Sequence, residues 1–263
     1  MKKILAILLA LCTVLAFAAC GAKTADETTA APATTEAAIP TVDATFGLEE
    51  TLPADAELIG GDVMTYEEYA AAEMEAEVTV EAYVQATQSW WDNKITVYAQ
   101  DADGAYFIYE MACSEEDAAK LTAGTKIRVN GYKGEWAGEV EIMDATFEFV
   151  EGADTFVAEA LDVTDLLGTD DLIKEQNKLV SFKGLTVKKI EYKNGEPGDD
   201  IYVTVAKGED EYSFCVERYL TDPDTEVYKA VGELKEGDIV DVTGFLYWYE
   251  GVNTHITAVA ISE

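Results

Sequence analysis

From residue 78 onward most of the chain alternates between hydrophobic and polar positions, and short stretches of helical spacing interrupt the alternation. Val78–Thr87 (VTVEAYVQAT), Ile95–Gln100 and Ala105–Ala112 each repeat with a period of two and predict strands, the last two joined by a hairpin turn at Asp101–Gly104. Ser114 with Asp117 predicts a capped helix running to about Thr122, stopped by Gly124, and the strands Lys126–Tyr132 and Glu139–Phe149 follow. The same order then recurs. Leu179–Ile190, Ile201–Ala206 and Glu211–Glu217 read as strands, Asp222-Pro223 opens a helix that ends by Gly237, and Ile239–Leu246 and Asn253–Ile261 close the unit. A short helix precedes each unit: Tyr66–Met74, with a Thr65/Glu68 capping box, and Thr169–Gln176.

The recurrence is also visible in the residues. Leu121–Ala145 is written again as Leu234–Ala258 at a constant displacement of 113 positions, which pairs Gly124 with Gly237, Val129 with Val242, Gly131 with Gly244 and Gly138 with Gly251. In the hairpins the displacement is 106, pairing Ile95, Val97, Tyr106 and Ile108 with Ile201, Val203, Tyr212 and Phe214. A long repeat at fixed displacement is the mark of a duplicated domain.

Strand–strand–strand–helix–strand–strand resembles the OB-fold, a five-stranded Greek-key barrel. The resemblance covers about Glu73–Gly152 and Lys178–Glu263, and rests on element order, the glycine ending the inter-strand helix, and the repeat. The expected fold is mainly β with short helices, as two tandem OB-fold-like five-stranded barrels; two small sandwiches are the alternative. The expected layout is a leader at 1–19, a tether at 20–57, one barrel at 58–152, a connector at 153–177 and a second barrel at 178–263.

The leader has a basic start (Lys2, Lys3) and an apolar run, Ile4–Phe17. Phe17-Ala18-Ala19-Cys20-Gly21 resembles the bacterial lipobox, with Phe17 where an aliphatic residue is usual. That resemblance implies a lipidated Cys20, hence a membrane partner and a place on the outer face of the cell membrane. Gly21–Ala44, rich in alanine, threonine, glutamate and proline, reads as a flexible tether. Taken together, the chain resembles tandem OB-fold lipoproteins of Gram-positive gut anaerobes.

Charge narrows the partners. The chain carries 52 acidic and 18 basic residues, a formal net charge of −34. Such a surface favours cations and cationic partners and speaks against nucleic acid, whose readers carry a basic stripe. Cys113 and Cys215 sit at different repeat positions and read as two small apolar thiols.

The OB-fold resemblance also places a ligand: on the second and third strands, flanked by the loops after the first and fourth. All four tryptophans fall in such loops. Trp90, Trp91, Trp136 and Trp248 are therefore candidate ligand contacts, with Tyr247 beside Trp248 and with Tyr98, Tyr106 and Tyr109 on the first unit's face, rimmed by Lys133 and Glu135. Aromatic faces stack on sugars, bases or peptide prolines. The competing reading is that these rings cap cores or pack domain against domain. No catalytic constellation, cofactor motif or metal motif stands out. His255 is the only histidine, and Asp101-Ala102-Asp103-Gly104 matches a turn better than a calcium loop. The expectation is a non-catalytic binding protein without cofactor, its ligand a glycan or cell-wall fragment. A structural module contacting an envelope protein and an extracellular nucleic-acid binder are the alternatives.

Overall fold

The computed structural model describes residues 59–262; the leader, Cys20 and the tether lie outside the described residues. The first barrel comprises β1 (Glu77–Thr87), β2 (Lys94–Gln100), β3 (Ala105–Ala112), β4 (Lys126–Trp136) and β5 (Glu139–Phe149), closed in the order β1-β2-β3-β5-β4. Only β3 and β5 run parallel, through Phe107↔Glu141 and Ile108↔Ile142. This is the OB-fold topology. Helix α1 (Tyr66–Ala71) precedes it and α2 (Glu115–Ala118) bridges β3 to β4. Alternation in β1 sends Val78, Val80, Ala82 and Val84 inward, where they meet Val97, Ile108, Ile127, Val129 and Ile142 in one buried core.

The second sheet contains β6 (Leu161–Asp162), β7 (Leu179–Tyr192), β8 (Ile201–Lys207), β9 (Asp210–Val216), β10 (Ile239–Phe245) and β11 (His255–Ile261), with α3 (Glu226–Glu233) between β9 and β10. Because β10 pairs with both β11 and β7, five of these strands close in the ring β7-β8-β9-β11-β10, the order of the first barrel. Val180, Phe182, Leu185, Val203, Phe214 and Val242 fill its core. The short β6 lies parallel to the start of β7. In the first barrel the corresponding edge takes a backbone bond from Met64 N–H to the Thr79 carbonyl, 2.8 Å.

The repeated glycines have specific jobs. Gly124 and Gly237 take positive φ, 89° and 94°, where a side chain is strained. Each donates its N–H at 2.8 Å to the first strand of its own barrel, at Val84 and Val187 respectively. Gly131 and Gly244 sit at register shifts where the fourth strand bends against the fifth. A Cβ at Gly131 would lie 2.7 Å from the Met143 carbonyl oxygen, and one at Gly244 would run into the His255 carbonyl.

The structure moves several expected elements. β4 continues to Trp136 and meets β5 in a two-residue hairpin, Ala137-Gly138, with both φ positive at 53° and 95°. Trp136 therefore ends a strand. Helix α3 starts at Glu226 with Thr225 as its cap, because the Asp222 carboxylate accepts from Asp224 N–H and makes a turn there. In the connector, Leu172–Glu175 forms a tight 3-10 turn. Lys133, expected on a rim, is buried: its Nζ donates to the carbonyls of Tyr69, Ala70 and Ala72, capping the end of α1. Cys113 and Cys215 are free and buried.

Candidate functional site

Strand β2 is buried on both faces, although one face of a barrel strand ordinarily meets solvent. Ile95, Val97 and Ala99 face the first core. On the other side, Tyr98 joins Phe107 and Phe245 in a separate buried cluster, with Leu179, Leu220 and Tyr247 packed around it. Tyr98 stacks on Phe245 at 4.5 Å, and its hydroxyl lies 2.6 Å from His255 Nδ1. The second barrel thus covers the strand face on which an OB-fold commonly holds its ligand.

Polar bonds fix the same interface. Glu139 Oε2 accepts from Trp248 N–H at 2.8 Å and from Gln176 Nε2 at 3.1 Å. Asn177 donates to the Val140 carbonyl, Leu179 N–H to the Gln100 side chain, and Ser89 N–H to the Tyr219 carbonyl. Burial keeps Glu139 protonated far above the usual carboxylate range, to about 9, and lifts Glu141 to about 7. His255 is driven the other way, to about 3, so it is neutral near pH 7. Gln88 Nε2 donates to the Tyr98 oxygen at 3.2 Å, and the same hydroxyl is hydrogen-bonded to His255 Nδ1.

The equivalent face of the second barrel is open. A cleft of about 740 Å³ runs over β8 and β9, lined by Tyr202, Ser213 and Glu211 from those strands and by Tyr247, Tyr249 and Asn253 from the connection before β11. The first barrel contributes Phe107, Tyr109 and Trp136. Trp136 and Tyr249, 55% and 47% exposed, lie with ring centroids 5.1 Å apart at its rim. Tyr247 stacks on His255 at 4.1 Å in its wall. The charged groups of the lining are Asp200, Glu211, Glu217 and Glu250, all acidic.

The sequence-nominated aromatics divide. Trp136 and Tyr247 reach this cleft, and Tyr109 borders it. Trp248 is half-buried against the second core and touches Gly138. Tyr98 and Tyr106 are each 1% exposed; Tyr98 packs barrel on barrel, and Tyr106 packs beneath Tyr66 and Tyr69. Trp90 Nε1 donates to the Cys113 carbonyl at 2.9 Å and caps the first core. Trp91 is 78% exposed in a second depression. Sequence reasoning missed Tyr202, Glu211 and Glu217, whose signal would have been their places on the second unit's second and third strands. Tyr249 was legible too: the 113-residue displacement pairs it with Trp136.

No protein-family model matches the chain, and no curated protein does. Among solved structures, the chain is similar to the hypothetical protein YgiW from E. coli, at 18% identity over 34% of this chain and 91% of that one, TM-score 0.26. It is also similar to a murine DNA-binding protein bound to double-stranded DNA, at 12% identity over 70% and 96% of the two chains, TM-score 0.36. A third is a replication protein A heterotrimer bound to single-stranded DNA, at 13% identity over 76% and 52%, TM-score 0.32. At these identities the likeness is one of fold. The expectation that charge speaks against nucleic acid as a partner is corrected here, since the similar structures include proteins held on DNA.

Proposed function

We propose that the chain is an exported binding protein, held by a lipid on Cys20 at the outer face of the cell membrane, whose cleft takes a neutral or cationic ring-bearing ligand. A glycan or cell-wall fragment is the leading class. One observation carries this reading: exposed rings, Trp136 and Tyr249, share a single cleft with the carboxylates Glu211, Glu217 and Glu250. Rings supply flat apolar faces to pyranose C–H groups, and carboxylates accept from hydroxyl or ammonium donors. The role is binding without turnover. In support, burial pushes the Cys113 thiol up to about 11 and raises the Cys215 thiol further, and it lowers His255 to about 3, so the thiols stay protonated and the imidazole is too weakly basic to hold a proton at neutral pH.

The covered face of the first barrel favours a supporting role for that barrel. It gives up its own strand face to dock, and lends Trp136 and Tyr109 to its neighbour's cleft. The test is a titration of the protein with chitotriose and soluble peptidoglycan fragments, followed by tryptophan fluorescence and calorimetry. Saturable quenching that Trp136→Ala removes is expected. No sugar-dependent signal, or saturable single-stranded DNA binding that the same variant removes, would overturn the reading.

A further inference from the structure

In so acidic a chain, cations rarely lack a partner. Among the described residues nearly every lysine and arginine reaches a carboxylate or a carbonyl; Lys188, Lys235 and Arg218 do not. Lys188 and Lys235 are exposed, where water serves them. Arg218 is half-buried, and its Nε is shielded from solvent with no hydrogen-bond partner. Arg128, the other described arginine, is held by Glu81 at 2.7 Å. A shielded Nε–H without an acceptor is costly, while the terminal nitrogens of the fork are not among the shielded atoms.

Arg218 borders a depression of about 560 Å³, separate from the cleft above apart from the shared edge at Gln88. Its guanidinium carbon stands 5.1 Å from the centre of the Tyr219 ring, and Tyr219 is itself more than half exposed. Trp91 and Trp90 line the same depression with Ile95 and Thr96. The remaining charges there are already committed or lie beyond ion-pair distance of Arg218. Lys94 is neutralised by Glu110 at 2.7 Å, and Asp222 accepts from Asp224 N–H at 2.8 Å. The depression therefore offers one free planar cation beside flat apolar surfaces.

We infer that this depression is a binding site for a singly charged carboxylate carried on a flat ring, with the carboxylate forked on Arg218 and the ring against Trp91 and Tyr219. Guanidinium and carboxylate match as two parallel N–H···O bonds, and with Lys94 and Glu110 paired to each other, the negative charge of Asp222 favours a singly over a doubly charged ligand on the one unpaired cation. Such a group occurs at the C-terminus of a peptide ending in an aromatic residue and on an acidic sugar bearing a ring.

Two probe pairs separate these sources while testing their shared chemistry: N-acetylphenylalanine against its amide, and phenyl glucuronide against phenyl glucoside. Binding is read by tryptophan fluorescence and by chemical shifts of the indole N–H groups. At least one acid is expected to bind about tenfold or more tighter than its neutral counterpart. Preference for the first acid assigns the site to peptide ends and preference for the second to acidic sugars. Arg218→Gln abolishes the acid preference, and Arg218→Lys restores it only in part because the fork is lost. Trp91→Ala, at a well-exposed position, weakens both members of a pair without unfolding the chain. Equal binding of acid and neutral partner, no binding of either acid, or an acid preference that survives Arg218→Gln would each overturn the proposal.

Discussion

Trp136 and Tyr249 hold the same position in two copies of one repeat, 113 residues apart, and pack ring against ring at 5.1 Å. Beside them Glu250 N–H donates to the Ala137 carbonyl at 2.7 Å, so the equivalent corners of the two barrels touch directly. Both rings stay about half exposed, so their packing contributes little to stability. Trp136→Ala and Tyr249→Ala are each expected to cost about 1 kcal/mol or less, with a coupling of roughly 0.5 kcal/mol in a double-mutant cycle. Urea denaturation measures both.

Tyr98→Phe is the corresponding probe of the buried interface. The ring and its stack on Phe245 remain, while the hydroxyl between Gln88 and His255 is lost. Leaving His255 Nδ1 and the Gln88 amide unpaired should destabilise the folded protein by about 1–3 kcal/mol. Unchanged urea midpoint and slope would show that the bond contributes nothing.

His255 ties stability to acid. Its pKa falls from an ordinary 6.5 to about 3 on folding, because burial disfavours the imidazolium. The unfolded chain then binds the extra proton, so the contribution is complete above 6.5 and is lost as pH falls from there toward 3. His255→Gln should flatten the fall in melting temperature across that window relative to the parent chain.

Glu139 acts in the opposite direction. Its folded pKa stands near 9 against an ordinary 4.5, so the folded protein keeps a proton the unfolded chain has released. Its contribution is fully present below 4.5 and drains away as pH rises toward 9. Glu139→Gln, which stays neutral and can still accept from Trp248 N–H, should raise the melting temperature at pH 9 relative to the parent chain and change it little at pH 4. An identical pH profile for both proteins would sink this assignment.

The repeated bend glycines should be the least replaceable small residues of the two barrels. Gly131→Ala places a methyl against Ile142 and the Met143 carbonyl; Gly244→Ala places one against the His255 carbonyl. Backbone atoms cannot swing aside as side-chain ends do, so each change should cost about 1–3 kcal/mol or more. Gly61→Ala, with open space around it and no positive φ, is the control for loss of a glycine alone.

Element order, the duplication and the short helical caps were legible in the chain because they are local. Period-two alternation selects which side of Val78–Thr87 enters a core, and the Thr65/Glu68 pair forms the capping box the spacing implies. A glycine displaced by 113 positions keeps its role because the same backbone bend recurs around it. The tryptophans could be assigned to the neighbourhood of a ligand face by the same reasoning, but no further. Whether a ring meets solvent or a neighbour depends on how one barrel docks on the other, and that contact joins residues such as Tyr98 and His255, which no period connects. Docking buried one barrel's strand face and left its neighbour's open, so similar sequences in the two halves came to different ends. The repeat determined two like barrels; only their packing decided which one carries the cleft, since burial is a property of the pair and not of either copy.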